Sequence, residues 1–442
     1  MQDSLLHPTG QRNMSFWKLL HDFIENGSAT LKISMLAVGF LLLLIQINGR
    51  GYINEIMLSQ IEGIIPNLGF IGNATYYMVF GFSAVFLSGF TKSLGPVKAM
   101  VLGGSLTLVW EISFFVITNW TYILFNAVAG IGAALSWPAM GNFIARTTND
   151  EEVMQHNALC WGISQLSQIV SPLILLMVFH NKGDIDDGQF TPGAITAVHW
   201  SFIAILAFAI FVFYQLPNPE HKAHEPLSPL QTWKAFFRLL VTKKMSYMML
   251  PYFHAGFSQA LWMSIFPSMV SNYKRLAGDG LQNMAMAALF VGFGEMIVCP
   301  IAYFLVRPYI SKTSFARYCG SFLQVLVAIL IFFCFPHDAN YHSTEAASIW
   351  SPSKTVILSI ALLIGFSDGT WNICIYEATE EYFPGQSLLA FVVFNLVQSW
   401  STTLAFVLIS HIPLWMGTLA FGLTTSVALY GYQKLVKCGI TH

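Results

Sequence analysis

Charge is what this sequence has least of. Asp, Glu, Lys and Arg make up 10 % of its 442 residues, against the ~25 % usual in soluble domains. The formal net charge is only −1, which argues against nucleic acid or any strongly charged partner. No polar stretch is long enough for a separate soluble domain. The six cysteines are too few and too scattered for a disulfide framework, and behave as small packing residues. No P-loop, no nucleophile elbow and no pair of zinc-binding histidines occurs. His221, His224 and Glu225 cluster, but at a spacing that fits no metal site. No nucleophile–base set is recognisable, so an enzyme is not expected. No cofactor is implied.

Apolar residues fill the space that charge leaves, at 55 % of the chain. They fall into twelve runs of the length needed to cross a bilayer as an α-helix. The runs lie near 31–53, 70–90, 97–117, 121–145, 157–179, 194–216, 245–269, 284–306, 317–335, 354–376, 387–410 and 414–433. They are too long and continuous for barrel strands, and only helices or closed barrels satisfy every backbone group in lipid. The predicted fold is therefore an all-α membrane protein of twelve spans. The expected division is a cytosolic segment 1–30, a six-helix bundle 31–216, a linker 217–244, a second bundle 245–433 and a tail 434–442. Most Lys and Arg then face one side, with Lys182, Lys274, Arg275 and Lys354 on the other. The positive-inside rule puts both termini in the cytosol. The first run serves as the insertion signal, since mostly polar residues precede it.

The linker begins rich in proline and then turns helical. Ser228, Pro229 and Gln231 read as a helix start. Leu230, Trp233, Phe237, Leu240 and Val241 recur at helical spacing with Lys234 and Arg238 between them. That pattern predicts an amphipathic helix at the membrane surface.

The halves echo each other. Segment 130–137 reads GIGAALSW and segment 365–371 reads GFSDGTW, each followed by acidic residues. The next run carries paired amides both times, Gln165 with Gln168 and Asn395 with Gln398. Six spans repeated in one orientation is the parallel repeat of two-halved transporters.

A charge at mid-bilayer costs about 2.5–3.5 kcal/mol on insertion scales, so each one needs a reason. Gln46, Arg50 and Asn54 share one face of span one, followed by Glu55. Span seven carries Tyr252, His254, Ser258, Gln259 and Trp262; span eight carries Glu295; span ten carries Asp368, Asn372 and Tyr376. These are the candidates for a solute or ion cavity between the halves. Arg50 would be the fixed cation, and Asp368 or Glu295 a carboxyl that carries a proton. The structural alternative pairs Arg50 with Asp368 or Glu55 and locks the bundle. Glu111 reads as structural or interfacial, because span three should be peripheral and its outer end close to water. Asn73 and Asn119 open glycosylation sequons close to the membrane.

Several segments together resemble the uncoordinated-ninety-three-like branch of the major facilitator superfamily. They are 132–142 (GAALSWPAMGN) with 149–151 (NDE), 292–295 (GFGE), 365–368 (GFSD) and 390–399 (AFVVFNLVQS). The resemblance runs across nearly all twelve spans. It implies two pseudo-symmetric six-helix bundles. It also implies either a solute transporter or an accessory protein that regulates a potassium channel or escorts receptors; proton drive is suggested by the acidic residues above. The chain departs from the pattern twice. The loop after span two, 89–98 (GFTKSLGPVK), lacks the superfamily's acid, and Met140 stands where the branch often has Gln. The expected partners are the bilayer, a small solute or proton, and a channel or receptor. Plasma membrane and endolysosomal membrane both fit.

Overall fold

In a computed structural model, residues 24–149, 152–181, 190–219, 229–301 and 312–440 are described. The N-terminal segment up to 23, Ser228 and the His221–His224–Glu225 cluster lie outside them. Among the described residues, ten helices are long and apolar enough to cross a membrane by length and composition.

The helices run α1 (Ala29–Leu58), α2 (Leu68–Leu94), α3 (Pro96–Ser113), α4 (Asn119–Thr147), α5 (Val153–Gln165), α6 (Ser167–Asn181) and α7 (Pro192–Gln215). After α8 (Pro229–Leu240) come α9 (Lys243–Ala260), a π-turn (Leu261–Ile265) and α10 (Phe266–Asn272). Then follow α11 (Gly280–Ile301), α12 (Lys312–Cys334), α13 (Lys354–Tyr382), α14 (Ser387–Ile409) and α15 (Leu414–Ile440). Two of the twelve expected runs fall outside the ten. Run 245–269 is divided into α9, the π-turn and α10, and α15 dilutes its leucines with Thr, Gly, Tyr, Gln and Lys.

Local chemistry sets the ends and breaks. Gly95 takes φ +83°, which L side chains avoid, and Pro96 behind it starts α3. Thr118 and Thr121 close a reciprocal cap on α4, with Thr121 N donating to Thr118 Oγ1 at 3.1 Å and Thr118 N donating to Thr121 Oγ1 at 2.8 Å. Thr118→Ala should cost about 1 kcal/mol; a thermal midpoint no lower than the parent's would show the cap to be redundant. In α6, Pro172 withholds the N–H that would close on the Gln168 carbonyl. Pro251 and Pro267 flank the π-turn in the same way. Such turns widen a helix and re-aim the side chains they carry, here Trp262 and Met263.

The same pairings recur in both halves of the chain. Helix α1 packs on α7 as α9 packs on α15, and α2 on α4 as α11 on α13. Likewise α3 contacts α4 and α7, as α12 contacts α13 and α15. Outward faces remain apolar: on α7, Trp200, Phe208 and Tyr214 are exposed. That surface needs lipid, so the chain is a multi-pass integral membrane protein.

The halves meet, among other places, at the end away from the termini, here termed distal. Helix α2 lies along α14, with Asn67 Nδ2 donating to the Ser410 carbonyl at 3.1 Å and Phe70 against Phe406 at 6.1 Å between ring centroids. Gly51 of α1 lets Met263 approach: a Cβ there would stand 2.6 Å from Met263 Cγ. Helix α6, the distal half of its span, is the part that packs on α11. Nearer the terminal end, Trp161 of α5 reaches Tyr376 of α13, with centroids 6.2 Å apart.

The expected amphipathic helix is α8. Phe236 and Leu239 turn inward and Trp233 packs on Phe86 of α2 at 5.4 Å, whereas Phe237 and Val241 stay exposed.

Candidate functional site

Close helix packing builds the site. A Cβ at Gly365 would lie 1.8 Å from the Val291 carbonyl oxygen, and one at Gly294 2.2 Å from that of Leu362. A Cβ at Gly292 would lie 2.4 Å from the Gln168 carbonyl oxygen. Only glycine permits these approaches, as small residues do at membrane helix crossings. The glycines of segments 292–295 and 365–368 thus bring α11 against α13 and α6. Glu295 and Asp368 then stand side by side.

Asp368 is 4 % exposed. Its Oδ1 accepts from Ser258 Oγ of α9 at 2.5 Å, and its Oδ2 from Asn372 Nδ2 one turn on at 2.9 Å. The Trp262 indole, turned inward by the π-turn, also reaches it. Glu295 Oε2 accepts from Gln168 Nε2 at 2.5 Å, and the same nitrogen lies 3.0 Å from Gln165 Oε1. A carboxylate of one half is therefore held by an amide of the other. Behind Ser258, Gln324 Nε2 donates at 3.4 Å, and Gln324 Oε1 meets His254 Nε2. His254 is closed off by Thr424 at 3.0 Å from Nδ1. Three buried oxygens around the pair have no protein partner: Glu295 Oε1, Gln168 Oε1 and the Tyr52 hydroxyl.

The other candidates divide. Asn372 and half-buried Tyr376 continue from Asp368 toward the terminal end. Tyr376 also meets Phe391 at 5.4 Å. Gln259 joins the halves elsewhere, donating from Nε2 to the Tyr77 hydroxyl at 2.8 Å. Tyr252 is a packing residue, fully buried, with its hydroxyl 2.8 Å from Thr379 Oγ1. Asn54 is fully buried and neither amide atom has a partner.

Arg50 does not share a chamber with Asp368. It is enclosed among α1, α3 and α7 at 0 % exposure. Its Nε donates to Glu111 Oε2 at 2.7 Å, and its Nη2 meets Glu111 Oε1 and His199 Nδ1. Gln46 Nε2 donates to Glu111 Oε2 at 2.8 Å, and Phe114 covers the guanidinium at 3.9 Å. Of the two roles expected for Glu111 the structural one holds and the interfacial one does not: its side chain is fully buried as the counter-ion of Arg50. Nor does Glu55 serve Arg50, since its Oε2 accepts from the Phe70 N–H at 3.2 Å. The cause is lateral. Helix α3 turns Glu111 toward α1 and α7 rather than toward the rim.

His199 and Glu111 are the members of this cluster that sequence reasoning missed. A signal existed: Arg50, Glu111 and His199 each lie within about two turns of the distal end of their helices. Equal depth makes them eligible partners.

The sequons also resolve. Asn73 is buried within α2, where no glycan could be attached. Asn119 spends its amide on loop packing, accepting from Ile65 N at 3.0 Å and donating to the Gly63 carbonyl at 3.3 Å.

Comparison with known proteins follows the same lines. A family model described as ion channel regulatory protein UNC-93 matches residues 60–430. The chain belongs to the UNC-93 family. A relative within reach is the UNC93-like protein MFSD11 of Xenopus tropicalis, 21 % identical over 391 residues, covering 84 % of this chain and 87 % of the relative. Among solved structures, nucleoside transporter NupG superposes with TM-score 0.66 at 10 % identity, covering 93 % of this chain and all of NupG. FucP, a major facilitator superfamily transporter in its outward conformation, gives TM-score 0.59 at 13 % identity, covering 91 % of this chain and 98 % of FucP. At such identities the likeness shows the fold alone. This UNC-93 member therefore has the major facilitator fold.

Proposed function

We propose that the chain is a secondary transporter of a small polar solute, driven by protons exchanged at Glu295 and Asp368. In this reading twelve spans cross the membrane, the composite α9–α10 and α15 among them. They form bundles 31–216 and 245–433 joined by 217–244, with the terminal end in the cytosol. One observation carries the proposal: two carboxyls lie side by side at the seam, and one of them is held by Gln168 from the opposite half. Two unit charges about 4 Å apart repel by roughly 4 kcal/mol even at an effective dielectric of 20. A pair in that position relieves the repulsion by taking up one proton, and movement of the halves that breaks the Gln168 contact would release it. The half-buried Gln165, Asn372 and Tyr376 beside the pair offer a solute hydrogen bonds and a ring face.

The test uses purified protein in vesicles with radiolabelled nucleosides as first probes, since NupG shares the fold. Uptake should rise with an inward proton gradient and fall to the level of empty vesicles in Asp368→Asn. Undiminished gradient-driven uptake in both Asp368→Asn and Glu295→Gln would refute the carboxyl pair as the coupling group.

A second reading is favoured by the family description itself: a subunit that regulates an ion channel without moving solute. The loop 89–98, without the superfamily's acidic residue, supports it. Recovery of a channel protein in fixed ratio after crosslinking in native membranes, together with no uptake, would favour this second reading over transport.

A further inference from the structure

A cationic cleft lies at the terminal end, apart from the carboxyl pair. Leu239, Thr242, Lys243 and Lys244 form one wall, and Tyr382 and Gln386 stand on the other. Lys243 is exposed and Lys244 half-buried. Lys234 and Arg238 on α8 are exposed as well. No acidic residue occurs between Glu225 and Asp279, so the stretch that forms this wall carries charge of one sign. Glu377, Glu380 and Glu381 precede Tyr382 on α13, but none lines the cleft. Glu381 faces Arg317 at 3.7 Å.

Helix α8 approaches the cleft with two apolar faces. Phe236 and Leu239 are spent on the protein. Phe237 and Val241, four residues apart and so on one stripe, are 56 % and 79 % exposed. Lys234 and Arg238, also four apart, flank them. An apolar stripe edged by cations, beside the ends of membrane spans, matches a leaflet surface with acyl chains below and phosphates at its level.

We propose that this cleft binds the headgroup of an anionic phospholipid, with Lys243 and Lys244 on the phosphate and α8 resting on the same leaflet through Phe237 and Val241. Charge complementarity selects the occupant. A zwitterionic headgroup offers the lysines no net negative charge, whereas an acidic peptide would leave the apolar stripe in water.

The experiment is native mass spectrometry of the full chain released from vesicles of mixed phosphatidylcholine and phosphatidylserine. The parent should retain phosphatidylserine preferentially, and moderate salt in the vesicle buffer should weaken that preference. Lys243→Gln with Lys244→Gln should lower retention about tenfold, while Lys243→Arg with Lys244→Arg should keep it. Equal retention of the two lipids by the parent, or undiminished phosphatidylserine on the Gln variant, overturns the proposal. Soluble glycerophosphoserine binding as tightly as the lipid also overturns it, since the cleft would then serve a free phosphate. If the Gln variant fails to fold, the salt dependence of the parent still decides.

Discussion

Glu111→Ala should destabilise the protein by about 3–5 kcal/mol, because it leaves the Arg50 guanidinium buried without its counter-ion. The loss follows from geometry. Arg50 and Glu111 are both at 0 % exposure, joined through Nε to Oε2 at 2.7 Å and through Nη2 to Oε1. Water cannot reach the orphaned charge, and rotation does not help, because Phe114 and Phe202 cover the ring of donors at 3.9 and 5.3 Å. Gln46 and His199 lose the same acceptor. Thermal unfolding in detergent, followed by size-exclusion chromatography, reads the effect. The double variant Arg50→Met with Glu111→Leu removes both charges and should recover much of the stability, as apolar replacement of a buried pair often does. If Glu111→Ala melts with the parent, the pair is not an enclosed ion pair. The contrast with Asp368→Asn is informative: that change should spare stability and remove uptake. A fault in the Arg50 cluster therefore shows first as loss of folded protein, and a fault at the carboxyl pair as loss of coupling.

Gly365→Ala should be the most damaging single methyl in the molecule's centre. Its Cβ would lie 1.8 Å from the Val291 carbonyl oxygen and 3.0 Å from Glu295 N. Both are backbone atoms of α11, so no side chain can swing aside. The helices must part, and overpacking of this kind typically costs about 1–3 kcal/mol, sometimes more. Here the upper end is expected, together with loss of gradient-driven uptake, because parting α11 from α13 separates Glu295 from Asp368. Gly422→Ala on α15 is the control. A Cβ there meets nothing within 4 Å, and alanine is favoured over glycine in a helix by roughly 1 kcal/mol. Equal behaviour of the two variants would mean that the close crossing of α11 and α13 does not organise the site.

Much of the site was legible one residue at a time. Glu295, Asp368 and Asn372 stand out as polar groups in apolar runs, and such groups mark function or pairing wherever they occur in lipid. The paired amides of run five read only as a mark of the repeat, and the contact of Gln168 with Glu295 appears first in the structure. Arg50 was legible as a residue in need of a partner, but its partner was not. Asp368 and Glu55 were the expected anions because they lay on the expected cavity face or on the same helix. Glu111 lies on a span that hydropathy makes peripheral, so nothing in the sequence pairs it with Arg50.

Composition and run length alone settle that this chain crosses membranes as helices and carries a few polar groups at depth. Those facts follow from run length, from the cost of unsatisfied backbone in hydrocarbon and from the cost of charge there, all local to a segment. Only the tertiary structure decided which polar groups meet. Hydropathy fixes how deep a residue sits but not which way it turns. In lipid, the choice of neighbour rests on close contacts such as those at Gly292, Gly294 and Gly365, whose consequence appears only once two helices are side by side.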